Sequence, residues 1–434
     1  TLGKSGSGKG FYEMSRRAGQ TALPELNAVN VVVGAAGIGK FTQRAGVSTF
    51  SGSMILGSEL ASDGSFELSQ TVGSTSTVNA GHQLIGNRSW GTFTQKGGTN
   101  NTFGSMIVGV EAHGIGNYMH QNGLNHVRGD LVVALNGGSV GRYDLSDAIN
   151  SSVLKVDGFL HVGAGGKGNF EQTGGAVSVL NRGLWLGSNA GGDGTYLLHA
   201  GVLRTDQTVL GFDGVGTFAQ GGGEHVTNNR LRVAWINQGT YVLGAGTLRV
   251  GVGSPTAELR MAEGAASVGS FIQHGGVFQV NKISTGAGTS SLELNGGVLQ
   301  PNPTALAPSD GVYQRIAVTT MTVGARSGSR GALTLTGVVN TTDTRVGLDG
   351  VGIIHQTGGQ HTVQGQFQLG RNAGSRGDYE LAEGNLFAAA QYIGWDGTGS
   401  FVQLSGMNRA TAVVALGAGI GSTGSYELHG GSLE

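Results

Sequence analysis

The chain has 434 residues, 26 Lys and Arg against 27 Asp and Glu for a net charge of −1, no cysteine, and 84 glycines, far above the usual ~7%. With only 5 prolines and no glycine at every third position it is not collagen, and patterned apolar residues with almost no net charge argue against a disordered tail. The absence of any Lys/Arg block argues against a nucleic-acid partner, the absence of cysteine removes disulfides and thiolate metal sites, and no run of ~18 apolar residues offers a helical membrane span.

Residues 1–29 carry Lys4, Lys9, Glu13, Arg16, Arg17 and Glu25, a charge density not found further along, and are expected to form an N-terminal cap or assembly arm, with a short helix over residues 11–18. The run from Gly3 to Gly10 superficially matches a phosphate-binding loop. Gly10 stands where Ser or Thr is needed and no strand precedes it, so a flexible terminus is expected instead. The first residue, Thr1, fits a processed chain whose export signal has been removed.

From residue 30 onward one pattern repeats. A segment G-x-F-x-Q followed by glycine has its anchor and glutamine at Phe41/Gln43, Phe93/Gln95, Phe170/Gln172, Phe218/Gln220, Phe271/Gln273, Ile354/Gln356 and Phe401/Gln403. A sister segment G-x-Y-x-L has anchors at Phe66, Tyr118, Tyr143, Tyr196, Tyr241, Leu292, Leu333, Tyr379 and Tyr426. The two types alternate except after Tyr118 and Leu292, and successive anchors lie 21 to 30 residues apart, except for 41 between Leu292 and Leu333. A repeat of about 25 residues is one supersecondary unit that buries its apolar face only by stacking on copies of itself.

Within residues 194–214 three strand-length runs appear, at 195–199, 202–205 and 208–211, separated by glycine or Asp-Gly corners. The expected fold is all-β, a parallel β-helix (β-solenoid) of about sixteen coils with three short strands per coil over residues 30–434. At ~4.8 Å per coil such a stack would reach roughly 75–80 Å. Anchor and glutamine are two residues apart and share a face. They are expected to point inward, the anchors in one continuous column, with glutamine in a slot that leucine fills in the sister coils and His120 fills after Tyr118. A buried amide needs partners, and backbone at the adjacent glycine corner is the expected one. Leucine at Gln220 is therefore expected to be mild. Pro301, Pro303 and Pro308 mark a loop near 300–312, after which Met321 to Gly324 resembles the strand beginning at Met106.

The residues Gly91-Thr92-Phe93-Thr94-Gln95-Lys96-Gly97-Gly98 and Gly424-Ser425-Tyr426-Glu427-Leu428-His429-Gly430-Gly431 resemble the β-strand repeats of bacterial autotransporter-like passenger proteins. The resemblance covers residue 31 to the end and implies export to the cell surface and a role as adhesin, fibre or matrix component. The membrane barrel that ends an autotransporter is not in this sequence, so a released passenger, a fragment and another export route all stay open.

Candidate chemistry is sparse. Asp213, Asp349 and Asp396 sit in Asp-Gly corners that resemble calcium-binding repeats, but without a second carboxylate each is expected to cap its own turn. The pairs His120/His126 and His355/His361 lack metal-ligand spacing. Glu171, Glu293, Glu380 and Glu427 lie on the expected outer face, the few charges look evenly spread, and Trp90, Trp185, Trp235 and Trp395 adjoin glycine corners where they would stack sugars or cover the turn. No catalytic, cofactor or metal residue is assigned. The expected function is a secreted structural or adhesive solenoid that self-associates head to tail, its C-terminal edge against residues 1–40, or contacts surface polysaccharide. The alternative is a carbohydrate-binding or carbohydrate-active β-helix.

Overall fold

A computed structural model describes residues 1–17, 19–147, 151–252, 257–302 and 314–434. Every regular element among them is a strand, and the chain is a parallel β-solenoid of about 16 turns spaced about 25 residues apart. Each turn carries an anchor strand on a first face, a second strand after a glycine corner, and a short third strand. It divides into two compact units, Thr1–His225 and Val226–Glu434.

In the first unit the repeated segments lie directly over one another. Phe93 pairs with Tyr118 and Gln95 with His120. Tyr118 pairs in turn with Tyr143, and Tyr143 with Phe170. Their rings form a column from Tyr12 to Phe218 with centroids 4.6 to 5.0 Å apart, the separation that strand spacing imposes. The glycine that opens each anchor segment has a steric cause. Gly91 points inward against the corner at Gly86, whose φ is 70°, and a Cβ on Gly91 would collide with the Gly86 backbone.

The N-terminal residues depart from expectation. Lys9–Met14 is a strand, not the start of a helix, and pairs with Ile38–Gln43 so that Tyr12 faces Phe41 and Met14 faces Gln43. Gly10-Phe11-Tyr12-Glu13-Met14 is a G-x-Y-x-L segment with methionine in the leucine slot, and Met14 is buried. Nor is the start of the chain loose, since Leu2 exchanges backbone hydrogen bonds with Val32 and Gly34, and Gly37 N–H donates to Gly3 O.

In the second unit the column of anchors is not continuous. Thr289–Leu294, an anchor strand, pairs with residues 320–323, so that Leu292 lies opposite Met321. Residues 315–316 of that same strand, Arg315–Val323, pair with the third-face strand Lys282–Thr285. One coil further, residues 315–318 and 320–323 lie under residues 338–341 and 343–346, the second and third strands of the coil anchored by Leu333. Between Leu292 and Leu333 the chain thus makes a full turn plus one further face. This accounts for the long interval and starts a new anchor column, Leu333, Ile354, Tyr379, Phe401 and Tyr426, one face away from that of Tyr241, Phe271 and Leu292. Pro303 and Pro308 lie outside the described residues.

Candidate functional site

The interior holds most of the residues singled out from the sequence. The anchors Phe41, Phe66, Phe93, Tyr118, Tyr143, Phe170, Tyr196, Phe218, Tyr241, Phe271, Ile354, Tyr379 and Phe401 are buried, as are Gln43, Gln95, Gln172, Gln220, Gln273, Gln356 and Gln403, while Tyr426 is half-buried. Each glutamine Nε2 donates to the carbonyl of the glycine three residues on, as Gln95 does to Gly98 at 3.2 Å. Most also reach the second strand of the next coil, as Gln95 reaches Leu124 O at 2.9 Å.

The other end of the amide explains why the two segment types alternate. The tyrosine of the following coil donates its hydroxyl to the glutamine Oε1: Tyr118 to Gln95 and Tyr196 to Gln172, both at 2.6 Å, Tyr379 to Gln356 at 2.5 Å, and Tyr426 to Gln403. Where two tyrosine coils follow one another, His120 replaces the glutamine. Its Nδ1 lies 3.0 Å from the Tyr143 hydroxyl and its Nε2 2.9 Å from Gly123 O, reproducing the amide's acceptor and donor. Gln43 precedes Phe66, which has no hydroxyl, and its Oε1 is left without a partner.

A second set of buried polar groups, not anticipated from the repeat, lines the second face. Asn100 and Asn125 donate to the Tyr118 and Tyr143 oxygens at 3.0 Å, and His361 Nδ1 lies 3.1 Å from that of Tyr379. Thr205, Thr208 and His225 in one unit, and Thr341, Thr344 and His361 in the other, form the same hydrogen-bonded trio with 17 residues from the second threonine to the histidine. Burial pushes His120 down to about 4 and His225 and His361 down to about 3, and it raises the tyrosine hydroxyls Tyr118, Tyr196 and Tyr379 well above their ordinary value. These histidines are neutral structural groups.

The outward candidates do not converge. His126 pairs with Asp157 at 2.8 Å, His355 with Glu380 at 3.2 Å, Glu171 with Arg142 at 3.0 Å, and Glu427 with His429 at 3.3 Å. Asp349 accepts from Asn372 at 2.6 Å and Asp396 pairs with Arg371 at 3.3 Å, so each tethers a neighbouring coil. Trp185 packs on Phe159 and Phe212, and Arg371 covers Trp395 at 4.4 Å. Among the described residues no three His, Asp or Glu side chains gather as a metal site. A shallow cleft of about 680 Å³ in the first unit is lined chiefly by glycines and by Gln70, Thr71, Lys96, Asn122, Leu124 and Val153. Lys96, the one charged group among the described residues of its lining, is paired with Glu67 at 3.1 Å.

The third face of the first unit carries the most ordered surface. On it one position per coil stacks in register as Val32, Ile55, Leu84, Ile107, Val132, His161, Trp185 and Val209. Val32, Ile55, Leu84 and Ile107, each half-buried, therefore put an aliphatic side chain on the outer side of four successive coils, whereas Val132 and Val209 in the same row are buried. In the second unit the third-face strands Arg230–Val233, Glu258–Met261 and Lys282–Thr285 bring five charged residues, Arg230, Arg232, Glu258, Arg260 and Lys282, together on successive coils. Comparison with family models, curated proteins and solved structures finds no match to this chain.

Proposed function

We propose that the protein is a secreted structural or adhesive solenoid, of the kind its resemblance to autotransporter-like passengers implies. The observation that carries this reading is the in-register, half-buried aliphatic ladder from Val32 to Ile107 on an outer face. A chain gains little from repeating an apolar side chain on the water side of four consecutive coils, and ordered apolar surface of this kind is what contact with another surface uses. The buried Gln, Tyr and His groups are meanwhile engaged in the bonds that build the coil.

Replacing Leu84 with Lys and Ile107 with Glu, which face each other across adjacent coils, tests it. Both side chains point outward, so circular dichroism and melting should stay as in the parent, while adsorption to octyl-coated beads and self-association on sedimentation should fall. Uniform fibres of the parent protein in negative stain would give the adhesive form its filament. Unchanged adsorption and self-association in the double variant would overturn the reading. So would release of reducing ends or unsaturated sugars from a polysaccharide panel, which would favour the carbohydrate-active alternative.

A further inference from the structure

We propose that the charged third face of the second unit is a binding surface for an acidic polysaccharide. Three cations from three successive coils, Arg230, Arg260 and Lys282, converge on one carboxylate, Glu258, at 3.7, 3.6 and 2.8 Å. Their side chains are 41, 38 and 48% exposed, whereas that of Glu258 is 3% exposed. The anion lies beneath and the cations lie above, so the group meets solvent as a set of N–H donors. Behind it Arg232 and Arg260 share Glu263 at 3.2 and 2.8 Å, and Arg232 lies over the Trp235 ring at 4.1 Å.

Among the described residues of this cluster four cations face two carboxylates, and the cations act on one another. Burial, followed by the neighbouring charges of Arg230 and Arg260, holds the Arg232 guanidinium below its ordinary value in spite of Glu263. Burial works to raise Glu258, but hydrogen bonds from Lys282 and Ser284 outweigh it, so the carboxylate stays ionised and keeps its cations in place. A ligand anion arriving from solvent relieves the repulsion without displacing either carboxylate.

The spacing selects the class of anion. The cations fall in two neighbouring in-register rows, Arg230–Glu258–Lys282 and Arg232–Arg260–Ser284, so that Arg230 and Lys282 stand two coil spacings of ~4.8 Å apart with Arg260 between them in the adjacent row. A chain of sugar acids offers carboxylates in a line with hydroxyls between them, and Arg and Lys recognise carboxylates through charge-assisted bonds. Nucleic acid is the less fitting polyanion. Its affinity comes from neutralising many phosphates, which a local surplus this small cannot supply, and Arg232 already covers a face of Trp235, the aromatic beside the rows.

The inference does not rest on the adhesive reading, which uses a different face of a different unit. Binding of the full chain to polygalacturonate fragments, neutral dextran and a single-stranded oligonucleotide of equal charge is measured by titration calorimetry at low and moderate ionic strength. Polygalacturonate should bind, weaken with salt, and lose about tenfold or more in the Arg230→Gln/Lys282→Gln variant, with Arg142→Gln in the first unit as the unaffected control. Glu258→Gln, which removes negative charge and no cation, should bind more tightly, a change of sign that a purely structural role would not produce. The proposal is overturned if polygalacturonate does not bind, if the double variant binds as the parent does, or if the oligonucleotide binds as tightly.

Discussion

At the scale of single residues the stabilising unit is the bond between coils, a tyrosine hydroxyl donated to the glutamine or histidine of the coil before. A buried donor or acceptor deprived of its partner costs ~1–3 kcal/mol, whereas removing both partners is nearly neutral. The sequence-based expectation that leucine is mild in the glutamine slot therefore fails wherever a tyrosine follows. Gln172→Leu strands the Tyr196 hydroxyl, and Tyr196→Phe strands the Gln172 oxygen as Phe66 already strands that of Gln43. Each single change should raise amide exchange across residues 168–205, and the double variant should fall well short of their sum. Strict additivity would mean the hydroxyl bond contributes nothing. The buried histidines make a prediction in pH. With folded values near 4 for His120 and near 3 for His225 and His361, all below the ordinary 6.5, the unfolded chain takes up protons first as pH falls. Their contribution is flat above pH ~6.5 and drains away below it, at ~1.4 kcal/mol per pH unit for each histidine until the folded value is reached. His120→Gln supplies the group that other coils use in this slot and should lessen the loss of stability between pH 6.5 and 4.5 while changing little at pH 7.5. An unaltered acid profile for this variant would show that His120 is not held neutral.

At the scale of elements, the anchor strand was readable because its function is chemical as well as geometric. Glycine opens it where a Cβ would strike the preceding corner, an aromatic fills the column, and Gln or Leu sits two residues on, so three positions out of five are constrained. The coil at residues 9–28 escaped because Met14 stands for leucine and charged residues flank it, though Gly10, Tyr12 and Met14 keep the spacing. The glutamine's bond to its glycine corner was open to reasoning from burial alone. Its bond to the next tyrosine was visible only as an unexplained alternation, and His120 as an exception, because which atoms meet depends on register between coils. The third strands carry only one or two outward residues each, too little signal for periodicity, so neither the aliphatic ladder nor the charged cluster stood out. The extra face between Leu292 and Leu333 was hidden for a related reason. Backbone pairing between coils is indifferent to which face a strand came from, so nothing in the side chains had to announce the change, and only the long interval betrayed it.

At the scale of the whole molecule, a solenoid of this kind has contacts only between neighbouring coils, so its stability is a sum of coil and interface terms and not one cooperative core. Phe93 tests this directly, because its ring is sandwiched between Phe66 at 5.0 Å and Tyr118 at 4.8 Å and is wholly buried. Phe93→Ala removes both ring contacts and leaves a cavity that rigid stacked strands cannot close, a change that ordinarily costs ~3–5 kcal/mol. In a globular core that loss would be shared by every amide. Here it should fall on the coils that touch the cavity, raising exchange at residues 64–68, 90–102 and 115–127. Residues 398–403 and 423–428, whose anchors Phe401 and Tyr426 stack on each other at 4.7 Å within the second unit, should keep their protection. Hydrogen exchange read by mass spectrometry resolves these segments. If protection falls equally in both sets, the chain unfolds as one cooperative body and the additive description of its coils is wrong.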